Sequence, residues 1–180
     1  MYSARNLAHT SITFLDHLTV TTGKALSWLN LLLVLVVFLV VLLRYWLNMG
    51  SIAMQESAMY LHALIFLGAS AYTLKQDSHV RVDVFYRKMT PRQRALVNSL
   101  GTLFLLIPVC LFIGLMSWEY IISSWQVMES SQDPGGIPLV YLLKSLILVL
   151  VVTLLLQGIA ELLRSLLILF PCSAGASNHG

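Results

Sequence analysis

The chain has 180 residues, of which 58% are hydrophobic and only 11% charged, and its mean hydropathy is +0.81. A soluble domain carries about 25% charged residues, so this chain cannot cover a water-facing surface and the soluble classes are excluded. The net charge of +3 follows from the distribution of Lys and Arg between the loops and needs no nucleic-acid partner.

Residues 1–24 precede the first apolar run. At 100° per residue, Leu7, Ala8, Ile12, Phe14, Leu15 and Leu18 fall on one side, and Arg5, Asn6, His9, Thr13, Asp16 and His17 on the other, with Ser11 and Thr19 breaking the apolar face. The segment reads as an amphipathic helix on the inner membrane surface, and the competing reading is a loosely ordered tail. The run that follows is too long for a signal-peptide core and lacks a small-x-small exit, so it reads as a signal anchor.

Three neutral gaps, and a fourth apolar segment interrupted by Lys144 near one end, predict four transmembrane helices. Between Lys24 and Arg44 lie nineteen uncharged residues, nine Leu, five Val and one Phe among them. At roughly 0.3–0.6 kcal/mol each, those apolar side chains favour insertion by about 4–9 kcal/mol. The second span, 57–74, is less apolar and contains the small cluster Gly68, Ala69, Ser70 and Ala71. The third, 95–118, is preceded by Thr90-Pro91-Arg92-Gln93, which has the form of a capping box with Pro at the first helical position. Pro108 inside it removes a backbone hydrogen bond and is expected to bend the helix. Asp133-Pro134-Gly135-Gly136 reads as a turn, and Pro138 fits the first turn of a fourth span at about 139–163. Tyr45, Trp46, Trp118 and Tyr120 sit where an outer aromatic belt belongs. Trp125 lies beyond that belt, so either the third helix continues past the bilayer or the following loop folds back. Residues 171–180 read as a flexible tail.

With the N-terminus inside, nine of the eleven Lys and Arg residues fall in inner segments, leaving Arg44 and Lys144 outside. Both termini are therefore expected in the cytoplasm. The fold class is an all-α membrane protein with four spans and an N-terminal interfacial helix.

Candidate chemistry is sparse. Lys144 can snorkel to the outer interface, and Glu161 and Arg164 can pair at i,i+3; interfacial anchoring is favoured for all three over binding a partner. His62 is the one histidine inside a span. A bis-histidine haem site needs a second at the same depth, so a hydrogen bond between helices is the favoured use. Cys110 at mid-depth and Cys172 in the tail are not placed to form a disulfide. There is no C-x-x-C, phosphate loop, H-E-x-x-H or nucleophile elbow, which argues against a membrane enzyme. A self-contained small four-helix transporter or channel is the stronger rival. It would want an intramembrane carboxylate, broken helices or inverted halves, and the sequence displays none of them. The Leu- and Val-rich surface and the small patch suit an auxiliary subunit.

From Arg44 onwards, "RYWLN" and then "QESAMYLHALIFLGASAYTLKQDSHVRVDVF" resemble the small membrane subunit, the Q-type permease, of tripartite ATP-independent periplasmic (TRAP) transporters. The elements carrying the likeness are Arg44 and Tyr45 closing the first span, Glu56 opening the second, Gly68 and Ala69, and His79-Val80-Arg81-Val82-Asp83 in the inner loop. Gly136-Ile137-Pro138 before the fourth span also looks like the family, and the likeness covers about Trp28 to Arg164. Gln55 departs from it, since members often carry a second acidic residue beside Glu56.

The resemblance implies a bacterial inner-membrane protein without catalytic residues, cofactor or metal of its own. It would scaffold a large membrane subunit that imports an organic anion, commonly a carboxylate, with sodium after delivery by a periplasmic binding protein. Candidate partner-interface residues are Arg44, Tyr45, Glu56, Gly68, Ala69, Ala71, His79, Arg81 and Asp83. Alternation of Val80, Val82 and Val84 with His79, Arg81 and Asp83 gives an extended segment one apolar side. That favours a docking strip over a solvated loop. Glu56, Glu119, Glu129 and Asp133 form an acidic outer rim, for which contact with the periplasmic protein and simple solvation are equally open. The transported substrate cannot be read from this chain.

Overall fold

In lipid every backbone N–H and C=O must be satisfied within the chain, and the uncharged runs do so as helices. The computed structural model describes residues 2–76 and 89–170, with side chains from Thr10 onwards. Its elements are α1 (Tyr2–Trp46), α2 (Ile52–Gly68), α3 (Ser70–Lys75), α4 (Pro91–Gly101), a π-helical stretch (Thr102–Leu106), α5 (Ile107–Gln126) and α6 (Val140–Leu169). Four helical rods are long and apolar enough to cross a membrane, Thr10–Trp46, Ile52–Lys75, Pro91–Gln126 and Val140–Leu169. The all-α, four-span reading is what the structure shows.

The details differ at several places. α1 runs for 45 residues without interruption, so no helix break separates residues 1–24 from the first span. At 1.5 Å per residue it is about 68 Å long, more than twice a hydrocarbon core of about 30 Å. The second span, expected unbroken, has a hitch at Ala69, where ψ relaxes to −2° between α2 and α3. Ser70 Oγ and Thr73 Oγ1 donate to the carbonyls of Leu67 and Ala69 there. Such back-bonding beside a glycine is a common cause of helix bending.

The third rod begins as its sequence requires. Thr90 Oγ1 accepts from the Gln93 N–H, and Gln93 Oε1 accepts from the Thr90 N–H at 2.9 Å, with Pro91 at the first helical position. Pro108 stands in the first turn of α5. The turn just before it widens into π geometry, with Ile107 N–H bonded to Thr102 O. α5 then continues to Gln126, which decides the placement of Trp125 in favour of an extended helix. It ends in a left-handed Met128 (φ 46°), with Glu129 N–H bonded to Ser124 O and Met128 N–H to Trp125 O.

α6 is the hub of the bundle. α1, α2 and α3 pack on it from one side, and α4, the π stretch and α5 from the other. The helices approach through reciprocal glycines. A Cβ on Gly23 of α1 would lie 2.5 Å from Tyr72 Cβ, and one on Gly68 of α2 would lie 2.8 Å from a methyl of Leu26. On the other side Gly158 of α6 receives Leu106, and Gly114 of α5 receives Val151. The buried apolar residues are correspondingly few, among them Ala71, Ala95, Cys110, Ile121, Val151 and Ala160. The accessible surface is 12625 Å², against about 8,700 Å² for a compact soluble monomer of this mass. Broad apolar faces remain open to lipid or to another chain, such as the α1 stripe Trp28 (77% exposed), Leu31, Leu35 and Phe38.

Candidate partner interface

Polar side chains gather at the two ends of the bundle. At the end carrying loops 47–51 and 127–139, Glu56 sits in the first turns of α2 and reaches across to the second loop. Its Oε1 accepts from Ser131 Oγ, and its Oε2 accepts from the Ile137 N–H at 2.6 Å. Gly136 lets the carboxylate in, since a Cβ there would lie 2.7 Å from Glu56 Oε1 and 2.5 Å from Ser131 Cβ. The acidic residue of the second span and the Gly-Ile-Pro before the fourth thus form one clamp, although 81 residues separate the bonded pair. Within it, Gly136 N–H closes the predicted turn on Asp133 O, and Gly135 takes a φ of 85°. Replacing Glu56 with alanine is expected to release residues 131–137 without altering the spans. Limited proteolysis of the loop between α5 and α6 should accelerate several-fold while helix content by circular dichroism stays constant.

Beside this clamp, Lys144 pairs with Glu129, and its ammonium lies 3.9 Å above the Tyr120 ring. Trp125 Nε1 donates to Ser145 Oγ at 2.8 Å and meets Tyr141 edge-on. Lys144 is therefore an intrachain tie between α5, its following turn and α6, more than a snorkelling anchor. The Lys144 ammonium holds the Glu129 carboxyl below its ordinary range. Because the folded-state pKa is depressed, the pair's contribution is present above the unfolded value and lost as pH falls through the folded one. Acidifying from about pH 5 to about pH 3 should loosen the α5–α6 turn, read as a change in tryptophan fluorescence that Glu129→Gln abolishes. Of the expected acidic rim, Glu56 and Glu129 are turned inward to these partners, while Glu119 and Asp133 are exposed.

At the opposite end, Asp16 of α1 is a second hub. Its Oδ2 meets Arg164 at 2.7 Å and Lys75 at 3.3 Å, Lys75 also donates to the Asp16 carbonyl, and Gln157 Nε2 approaches Oδ1 at 3.4 Å. Gln157, 0% exposed, accepts from Thr19 at 2.9 Å, and Glu161 joins Arg164 at i,i+3. The Glu161–Arg164 pair was legible in the sequence. Asp16, placed among the polar residues of the first helix, gave no sign of its partners on α3 and α6, because those contacts span 59 and 148 positions.

The other candidate residues separate clearly. Arg44 and Tyr45 are exposed at the end of α1. Gly68 faces Leu26, Ala71 is 3% exposed, and Ala69 forms the hitch, so the close approach allowed by the small patch is made within the chain. His79, Arg81 and Asp83 lie outside the described residues, as do Cys172 and the tail. His62 makes no bond to another helix of this chain among the described residues, contrary to expectation. It projects outward from α2, stacked on Phe66 with ring centroids 6.2 Å apart. Ionisable side chains within membrane-spanning helices are rare and ordinarily face the bundle interior or a water-filled cavity. Among the described residues no three His, Cys, Asp or Glu side chains converge as a metal site would require.

The family model for the DctQ component of tripartite ATP-independent periplasmic transporters matches residues 33–167. The chain belongs to the DctQ family. The match takes in all of α2 through α5, the Glu56 clamp, and α6 to within its last turn. The protein is a multi-pass membrane component of a TRAP transporter, a family of transport components and not of enzymes. No curated protein and no solved structure matches the sequence.

Proposed function

We propose that this DctQ-family chain is the scaffold subunit of a bacterial inner-membrane uptake system, without catalytic, cofactor or metal-binding residues of its own. It fixes the static part of a large membrane subunit. That subunit imports an organic anion of the carboxylate class with sodium, after delivery by a periplasmic binding protein. Both termini face the cytoplasm, residues 1–24 reach the inner headgroup region, and 25–170 form the membrane unit. Arg44, Tyr45 and the outer loop held by Glu56, together with the His79–Asp83 segment, are the polar contacts offered to partners.

The observation carrying this reading is the open bundle. Close glycine contacts join α1 to α2 and α3, and α5 and the π-helical stretch to α6, with ion pairs at both ends, while large faces are left uncovered. Such a frame resists deformation and has surface to spend on a neighbour. The test is co-purification. Tagged chain expressed with the large subunit should retain it in mild detergent, and the pair with its binding protein should import substrate into sodium-free liposomes when sodium is supplied outside. Uptake by this chain alone would overturn the scaffold role.

A further inference from the structure

α2 presents several faces. Ser57, Tyr60, Leu61 and Leu64 line an apolar cavity against α6, and Gly68 turns to α1. A separate stripe, Gln55, Met59, His62 and Phe66, follows i, i+4, i+7, i+11 spacing, and all four side chains are exposed. His62 lies ten residues into α2, about 15 Å along the axis and so near the middle of a hydrocarbon layer of about 30 Å. A neutral imidazole carries one N–H donor and one nitrogen acceptor. The Phe66 ring stacked on it satisfies neither. The other open faces differ in kind, since Leu31, Leu35 and Phe38 on α1 and Phe112, Leu115 and Met116 on α5 are wholly apolar and match lipid tails.

We propose that the Gln55–Met59–His62–Phe66 stripe is the docking face for one transmembrane helix of the large membrane subunit, and that this helix brings a hydrogen-bonding side chain to the depth of His62. The assignment rests on the scaffold reading and adds to it the surface and the chemistry of the contact. Met59 and Phe66, one turn to either side of His62, are the deformable apolar flanks that close a polar contact off from lipid. A lipid tail offers the imidazole nothing to bond. A second copy suits it less well. A two-fold axis along the membrane normal sets two identical imidazoles face to face, which can share one bond at most, whereas a helix of different sequence can bring polar groups to both ring nitrogens.

The test uses the full chain co-expressed with the large subunit. Photo-reactive benzoylphenylalanine replacing Met59 or Phe66 should form a covalent adduct with that subunit on irradiation in membranes, while the same residue at Leu31 or Leu115 should not. His62→Leu should lower recovery of the large subunit on the tagged chain by roughly fivefold or more, with partial rescue by His62→Gln. Each variant expressed alone should reach the membrane and unfold thermally like the parent, which separates lost docking from lost folding. Adducts of the chain with itself, or with lipid only, would overturn the assignment, as would undiminished recovery with His62→Leu. If the parent chain retains no large subunit, the scaffold reading itself fails. If it does, and adducts form from Leu31 or Leu115 instead, only the choice of face fails.

Discussion

Gly23→Leu is expected to pry α1 away from α3 and to lower stability by about 3 kcal/mol, towards the upper end for overpacking. A Cβ at position 23 would meet Tyr72 at Cβ (2.5 Å) and Cδ2 (2.6 Å). The root of a side chain cannot swing aside as its tip can, so the helix axes must separate. Separation would also strain the neighbouring contact of Leu26 with Gly68, because both pairs lie on the same antiparallel seam. Thermal unfolding in detergent is the measurement. The decisive arm is the size swap: Gly23→Leu with Tyr72→Ala should recover much of the loss, and an additive double mutant would show that the two residues do not share the space. Gly23→Ala should show the same sign with a smaller cost.

Asp16→Ala should detach the first turns of α1 from the rest of the bundle. The substitution removes the acceptor shared by Arg164 and Lys75 and one partner of the fully buried Gln157. The pair members are partly exposed, with 20% of the Asp16 and 36% of the Arg164 side chain accessible. The cost is therefore placed at about 1–3 kcal/mol, between exposed and buried ion pairs. Hydrogen exchange should rise for backbone amides around residues 12–20 and stay unchanged for 28–43, where lipid-facing helix does not depend on the hub. Asp16→Asn should retain contact with Gln157 and lose the salt-sensitive part. Equal protection in parent and Asp16→Ala would show that α1 is held by its apolar contacts alone.

Both positions show where sequence reading stopped. Gly23 was not singled out in the sequence, and Asp16 read as one of several polar residues on a surface helix. Gly68 and Ala71 were legible as a close-contact patch, and the helix that uses that contact proved to be α1 of the same chain. The Thr90 capping box and the Asp133–Gly136 turn were readable to the residue, because each is a local hydrogen-bond pattern closed within three positions. Glu56 was singled out by its place at the mouth of a span, yet its partners, Ser131 and Ile137, belong to another loop. Lys144 was similarly visible as a charge near an interface, without Glu129 or Tyr120 beside it.

The amino-acid sequence by itself determined that this is an all-α protein with four helices able to span a membrane, since hydrocarbon admits only predominantly apolar runs with internally satisfied backbones. The segments bearing the family likeness were likewise present in the linear text. Only the tertiary structure decided that α6 is the hub, that paired glycines set the helix spacing, that Glu56 clamps the loop before α6, and that His62 faces outward. Those outcomes depend on how the rods are rotated about their axes. In lipid the apolar side of a helix does not declare which way is inward, because tails and neighbouring helices are equally apolar. The rotation is set by close packing and a few polar contacts between residues far apart in the chain.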